Sequence, residues 1–118
     1  MATDHYTNNI FSFSGNEGNS SSRLNYLDIK KAGTIIRAIN HKLRQNIIKL
    51  LEENEKLTVT EIFVKLRIEQ SVASQHLAIL RRANFVQTDR DGKSIYYSLN
   101  SPRVDHMKRC IDLLLEDV

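Results

Sequence analysis

The chain has 118 residues, one cysteine and one proline, and a formal net charge of +3. That length suits one small domain, which hides only about two-thirds of its unfolded surface and gains from further burial in a dimer. A single thiol closes no internal disulfide, no apolar run approaches the ~20 residues of a membrane-spanning helix, and no basic-then-apolar leader opens the sequence, so a cytoplasmic setting away from membranes is expected.

The charge is uneven. Residues 1–22 carry Asp4 and Glu17 and no Lys or Arg; taking those two from the 14 acids leaves 12 against 17 bases over the rest of the chain. The remainder is thus mildly biased toward polyanions. The first 22 residues are rich in Asn, Ser, Thr and Gly and show no hydrophobic period, so a disordered N-terminal arm is expected over 1–22, with Phe11 and Phe13 open to packing on a partner subunit.

Order is expected from residue 23. Leu24, Leu27, Ala32, Ile35, Ile36 and Ile39 fall on one helical face, interrupted by Gly33, and Asn40-His41 breaks it. A second helix follows over Lys42–Glu53 with Leu43, Ile47, Leu50 and Leu51 inward, and the run Glu52-Glu53-Asn54-Glu55-Lys56 reads as a solvated turn. Thr58-Val59-Thr60-Glu61 is a capping box, flanked by Leu57 and Ile62 at the spacing of a hydrophobic staple; it predicts a short third helix ending near Leu66. A tight turn at Arg67-Ile68 leads into a fourth helix, about Gln70–Ala83. Its residues Ala73, Leu77 and Leu80 share one face at i, i+4, i+7, while Ser71, Ser74, Gln75 and Arg82 point away.

Phe85–Thr88 and Ser94–Leu99 are β-prone and flank Arg90-Asp91-Gly92-Lys93, where Asp-Gly signals a two-residue hairpin turn with positive φ at both central positions. Ser101-Pro102 then opens a last helix with Val104, Met107, Ile111, Leu114 and Leu115 as its apolar stripe. The expected fold is mainly α (α+β): five helices with a two-stranded β-hairpin wing, a winged helix-turn-helix over 23–118.

Two short helices, a tight turn and a hairpin leave little room for a catalytic cleft but set one helix proud of the surface. That helix fits the major groove of double-stranded DNA, where Gln and Ser hydrogen-bond base edges. Gln70, Ser71, Ser74 and Gln75 are the expected base readers, with Val72 placed for a thymine methyl. Arg82 and Arg81 at the helix end, and Lys65 and Arg67 near the turn, suit phosphates. Arg90 and Lys93 on the wing would grip phosphates or enter the minor groove. The plainer readings are helix capping and solvation for Ser71 and Ser74, and a solvated tip for the wing cations. His76 lies beside the inward face, where a packed core histidine competes with a phosphate contact. No paired-carboxylate, Ser/His/Asp or Cys/His constellation and no phosphate-cradling glycine loop occurs, so an enzyme is not expected. A winged-helix protein–protein interaction module remains the alternative.

The segments Ala38-Ile39-Asn40-His41-Lys42-Leu43-Arg44-Gln45, Gln70-Ser71-Val72-Ala73-Ser74-Gln75-His76-Leu77 and Arg90-Asp91-Gly92-Lys93 leading to Tyr96-Tyr97 resemble the ArsR/SmtB family of bacterial winged-helix repressors, from about Leu24 to the end. Lys42 stands where the family usually has proline, and Glu69 where it often has a serine cap. The resemblance implies a homodimer built from the first and last helices, placing two recognition helices in successive major grooves of an imperfect palindrome. The apolar residues Leu27, Ile35, Ile36, Val104, Met107, Ile111 and Leu114 would form the dimer interface.

Many members of that family release DNA on binding metal. Its thiolate site is a Cys-x-Cys on the third helix, which here reads Glu61-Ile62-Phe63-Val64-Lys65, and its zinc positions on the last helix fall on Ser101, Arg103, Leu114 and Asp117. A zinc site needs three or four convergent Cys, His or carboxylate ligands, so no standard metal site and no cofactor is expected, and the inducer is unknown. Asp105, His106 and Cys110 offer only a non-standard i, i+4 cluster, and two Cys110 thiols would have to meet across a dimer to form a redox pair.

Overall fold

The structure is a computed structural model that describes residues 23–118. The expected arm over 1–22, with Phe11 and Phe13, lies outside the described residues. The described elements are α1 (Tyr26–Ile39), α2 (Lys42–Glu53), β1 (Leu57–Thr58), α3 (Val59–Leu66), α4 (Gln70–Arg82), β2 (Val86–Asp91), β3 (Ser94–Leu99) and α5 (Ser101–Leu115). Chain contacts divide it into two compact units, one closing at Ile36 and the other spanning Arg37–Val118.

In the first unit, α1 starts where the Asn25 side-chain oxygen accepts the Leu27 and Asp28 amides at 2.9 and 3.2 Å, meeting two of the donors a helix start leaves open. Its aliphatic residues stay largely in solvent: Leu24, Leu27 and Ile36 are 71, 59 and 39% exposed, and Ile35 is half-buried.

In the second unit, α2 packs on α3, α4 and β3, and α4 packs on α3 and β2. Ile47 of α2, Ile62 of α3, Leu77 and Leu80 of α4 and Phe85 beyond it are the largest fully buried side chains. Each sits at the inward phase of its helix or at an element junction, so the core is one aliphatic layer closed by a single ring. The capping box forms as the sequence predicts: Thr58 Oγ1 accepts the Glu61 amide at 3.2 Å and Glu61 Oε1 accepts the Thr58 amide at 2.9 Å. The staple residues Leu57 and Ile62 are both buried.

The ends of α3 and α4 are closed by residues in the left-handed conformation. Arg67 (φ 58°) follows α3, with its own amide on the Val64 carbonyl and the Ile68 amide on Phe63. Asn84 (φ 68°) follows α4 in the same way, its amide on Arg81 and the Phe85 amide on Leu80. This pair of closing bonds satisfies carbonyls that a helix end otherwise strands. Asparagine tolerates that conformation; arginine carries a Cβ penalty of about 1–2 kcal/mol there.

The expected two-stranded wing is present, and a third strand joins it: the order is β1-β3-β2, with Leu57 opposite Tyr97 and Thr58 opposite Tyr96. The turn sits one residue later than expected. Asp91 pairs with Ser94, leaving Gly92-Lys93 as the loop, and Arg90 lies within β2 opposite Ile95. Only Gly92 takes a positive φ (68°), the pattern of a turn with glycine first, which does not require the left-handed region at the next residue. Lys93 is therefore the tip cation. Lys56 braces the wing, its ammonium 3.8 Å from Asp91 and 4.6 Å above the centre of the Tyr96 ring.

Among the described residues, the hydrogen bonds that tie the last helix to the body lie at its start. Asn100 caps it, and the Arg103 guanidinium donates to the Ala83 carbonyl at 3.1 Å while lying over Phe85. Beyond that, α5 buries none of its residues; Leu113, Leu114 and Leu115 are at least 60% exposed. Among the described residues no helix is long and apolar enough to cross a membrane.

Removing the Thr58 hydroxyl (Thr58→Ala) is expected to cost about 1 kcal/mol of stability. Urea unfolding checks it: Thr58→Ser should keep the wild-type midpoint, and Glu61→Ala added to Thr58→Ala should cost less than its effect alone, because the two bonds share one cap.

Candidate nucleic-acid interface

Helix α4 divides its side chains cleanly. Ala73, Leu77 and Leu80 are fully buried, while Gln70, Ser71, Ser74, Gln75, Arg81 and Arg82 are exposed. Val72 and His76 lie on the border, each half-buried. The packed face holds the helix by its aliphatics, so the polar face is free of structural duty. Among the described residues, the side chains of Gln70, Ser71, Ser74 and Gln75 make no hydrogen bond within the chain. Neutral donor–acceptors left in solvent on one helix face can exchange water for base edges without a large desolvation cost.

Cations flank that face. Lys65 and Arg67 stand exposed before the helix, Arg81 and Arg82 at its last turn, and Arg90 and Lys93 on the wing. The only carboxylate at the start of α4 is Glu69, its N-cap residue, which makes no side-chain cap bond. Among the described residues, Asp89 and Asp91 lie on β2 beside Arg90, and a further acidic group lies elsewhere: an open cavity of about 540 Å³ is lined by Glu52, Glu53, Glu55 and Asp105 with Leu51 and Val104. Such a lining repels phosphate, whereas the outer face of α4 has cations on both sides, Lys65 and Arg67 before it and Arg81 and Arg82 at its end.

One residue that positions the helix was not anticipated. Arg44 is buried, 8% exposed, and among the described residues it makes no ion pair with a carboxylate. Its Nε donates to the Ala38 carbonyl at 2.6 Å and its Nη2 to the Arg37 carbonyl at 3.2 Å, both in the last turn of α1. Its Nη1 lies 3.0 Å from His76 Nδ1. Helix C-termini carry unpaired carbonyls and a partial negative charge, so a guanidinium is well placed there. Since a guanidinium only donates, His76 Nδ1 must accept, and the ring is neutral with its proton on Nε2. The signal was available: 44, 47 and 51 share one helical phase, and α2 buries all three.

His76 was expected either as a core histidine or as a phosphate contact. Its Nδ1 is committed to the scaffold. Burial, then the nearby His41 ring (centroids 4.6 Å apart), then the charge of Arg44 hold its pKa below the ordinary 6.5.

Of the four zinc positions inferred from the family pattern, Arg103 binds the Ala83 carbonyl and Leu114 is an exposed aliphatic, while Ser101 and Asp117 are exposed. Among the described residues no three His, Cys, Asp or Glu side chains converge on one point. Cys110 Sγ does lie 3.7 Å from His106 Nε2.

Comparison with known proteins fits this geometry. Residues 41–88 match the family described as "Bacterial regulatory protein, arsR family". The transcriptional repressor PagR of Bacillus anthracis is 31% identical over 70% of this chain and 83% of its own length. The transcriptional activator HlyU of Vibrio cholerae is 38% identical over 71% of this chain and 74% of its own. Solved structures of HlyU from V. cholerae and of PagR superpose with TM-scores of 0.60 each, at 32% and 30% identity. The HlyU match covers 77% of this chain and 98% of that one; the PagR match covers 74% and 99%.

The lowered His76 pKa has a pH consequence. The unfolded chain takes up the proton first as pH falls below 6.5, so the stability from neutral His76 is complete above that value and is lost as pH drops toward the lower native one. Urea midpoints taken between about pH 5 and 7 should rise with pH, and His76→Gln should flatten the rise. An unchanged slope in the variant would remove His76 as its source.

Proposed function

The chain belongs to the ArsR family of bacterial regulatory proteins, DNA-binding regulators of transcription, and we propose that it acts as a cytoplasmic, dimeric repressor whose α4 reads the major groove. The carrying observation is the row Gln70, Ser71, Ser74 and Gln75: exposed, without intramolecular partners, and bordered at both ends by cations.

In this reading Gln70, Ser71, Ser74 and Gln75 bond to base edges and Val72 meets a thymine methyl. Arg82, Arg90 and Lys93 bind phosphate or enter the minor groove, and the neutral His76 offers its Nε2 proton to a phosphate oxygen. The residues from 23 onward form the DNA-binding and dimerisation domain. Leu27, Ile35 and Ile36 of α1 and Val104, Met107, Ile111 and Leu114 of α5 form the interface between copies; the absence of any buried residue on α5 and the exposure of Leu27 and Leu114 support it. Two-fold pairing would present two α4 helices to an imperfect palindrome. No metal or cofactor is invoked, and no reaction is assigned.

Gln75→Ala should weaken binding to a selected duplex by about 1–3 kcal/mol while sparing non-specific DNA. Lys93→Ala should weaken all sequences alike and reduce the salt slope by about one. Gel shifts against the selected duplex and a random pool at several salt concentrations check both; wild-type binding by both variants would move the reading surface elsewhere. Met107→Asp should convert a sedimenting dimer into monomer, and an unchanged dimer would place the interface off α5.

A further inference from the structure

The two short helices of the helix-turn-helix begin in opposite ways. At α3 the N-cap hydroxyl of Thr58 and the Glu61 carboxylate are both bonded to the helix start. At α4 the N-cap residue is Glu69, in extended backbone (φ −76°, ψ 152°), and its carboxylate makes no cap bond. Its backbone carbonyl does accept the Ala73 amide at 3.0 Å, so the helix is properly started, yet the side chain is exposed and, among the described residues, pairs with no cation. An uncommitted anion therefore stands at the leading end of the helix assigned to the major groove, amid side chains suited to phosphate.

Such a group opposes DNA unless a donor meets it. A carboxylate only accepts, and the donors on the floor of the major groove are the N6 amino group of adenine and the N4 amino group of cytosine. The two are not equivalent. Adenine N6 lies between two acceptors, its own N7 and the O4 of the paired thymine, which both repel a carboxylate. Cytosine N4 has an acceptor, guanine O6, on one side only; on the other is an apolar C5–H. We propose that Glu69 is a specificity-determining residue that accepts a hydrogen bond from the N4 amino group of a cytosine in each half-site and disfavours guanine and thymine at that position. This rests on the assignment of α4 as the base-reading helix.

The test is selection of duplexes from a random pool by wild type, Glu69→Ala and Glu69→Gln, followed by affinities for single-base replacements. Glu69 makes no side-chain bond, so both variants should keep the wild-type circular dichroism, with the thermal midpoint lowered only by the few degrees that loss of a carboxylate at a helix N-terminus entails. Wild type should require cytosine at one position per half-site and lose about 5- to 100-fold in affinity when another base replaces it. N4-methylcytosine, whose methyl takes the place of the groove-facing hydrogen, should cost as much. Glu69→Ala should bind all of these duplexes within about two-fold of one another, and should bind random DNA more tightly once the anion is gone. Glu69→Gln should move the preference toward adenine, whose N6 and N7 an amide matches. A cytosine preference kept by Glu69→Ala, or wild-type indifference to N4-methylation, overturns the proposal while leaving DNA binding intact. Failure of wild type to bind any duplex would instead overturn the assignment of α4 itself.

Discussion

A guanidinium cannot be dehydrated without partners, and Arg44 shows what it takes to hold one inside so small a body. Three of its nitrogens point at three acceptors: the Ala38 and Arg37 carbonyls at the end of α1 and the Nδ1 of His76. A hydrogen bond to a charged group contributes about 1.5–3 kcal/mol, and leaving the charge unpaired would cost more. The side chain thus ties the Arg37 and Ala38 carbonyls to α2 and decides which ring nitrogen α4 turns inward. The aliphatics Ala73, Leu77 and Leu80 bind α4 to the core through non-directional burial. Arg44 adds a directional contact to the same helix through His76, the residue next to Gln75 and two on from Ser74. Placement of the residues proposed to read DNA is therefore tied to an interaction that tolerates little error.

The interface is arranged by commitment. Side chains whose polar atoms are occupied, such as Thr58, Glu61, Asn100, Arg103 and Arg44, close helix ends. Side chains whose polar atoms are unoccupied gather on the outer face of α4. The wing follows the same division: Lys56 braces its base against Asp91 and Tyr96, and Arg90 and Lys93 remain free for phosphate. Exposed ion pairs such as Lys56 with Asp91 contribute little to stability, so the brace matters for orientation more than for folding.

Much of this was legible in the sequence because periodicity and capping are local. The capping box at Thr58, the inward triplet on α4, the outward Gln and Ser residues, and the Pro102 helix start all stand as read. The misses have identifiable causes. Strand β1 is two residues long, too short to show a period, and exists only because β3 passes beside it. The hairpin loop slipped from Asp91-Gly92 to Gly92-Lys93 because a glycine-first turn needs one positive φ where the expected turn needs two. Arg67 took a left-handed position that chemistry assigns to glycine or asparagine, so nothing in its identity announced it. Arg44 sat in plain phase with Ile47 and Leu51, but a charged residue is ordinarily placed outside.

The central claim is that the outer face of α4 and the tip of the wing are the surfaces that meet DNA. Backbone amide shifts followed by NMR during titration with a selected operator duplex test it most directly. The account predicts that the largest changes fall on residues 69–76 and 90–94, and that the acidic cavity near Glu53 and Asp105 stays unperturbed. Changes centred on that cavity, with α4 and the wing unmoved, would contradict it.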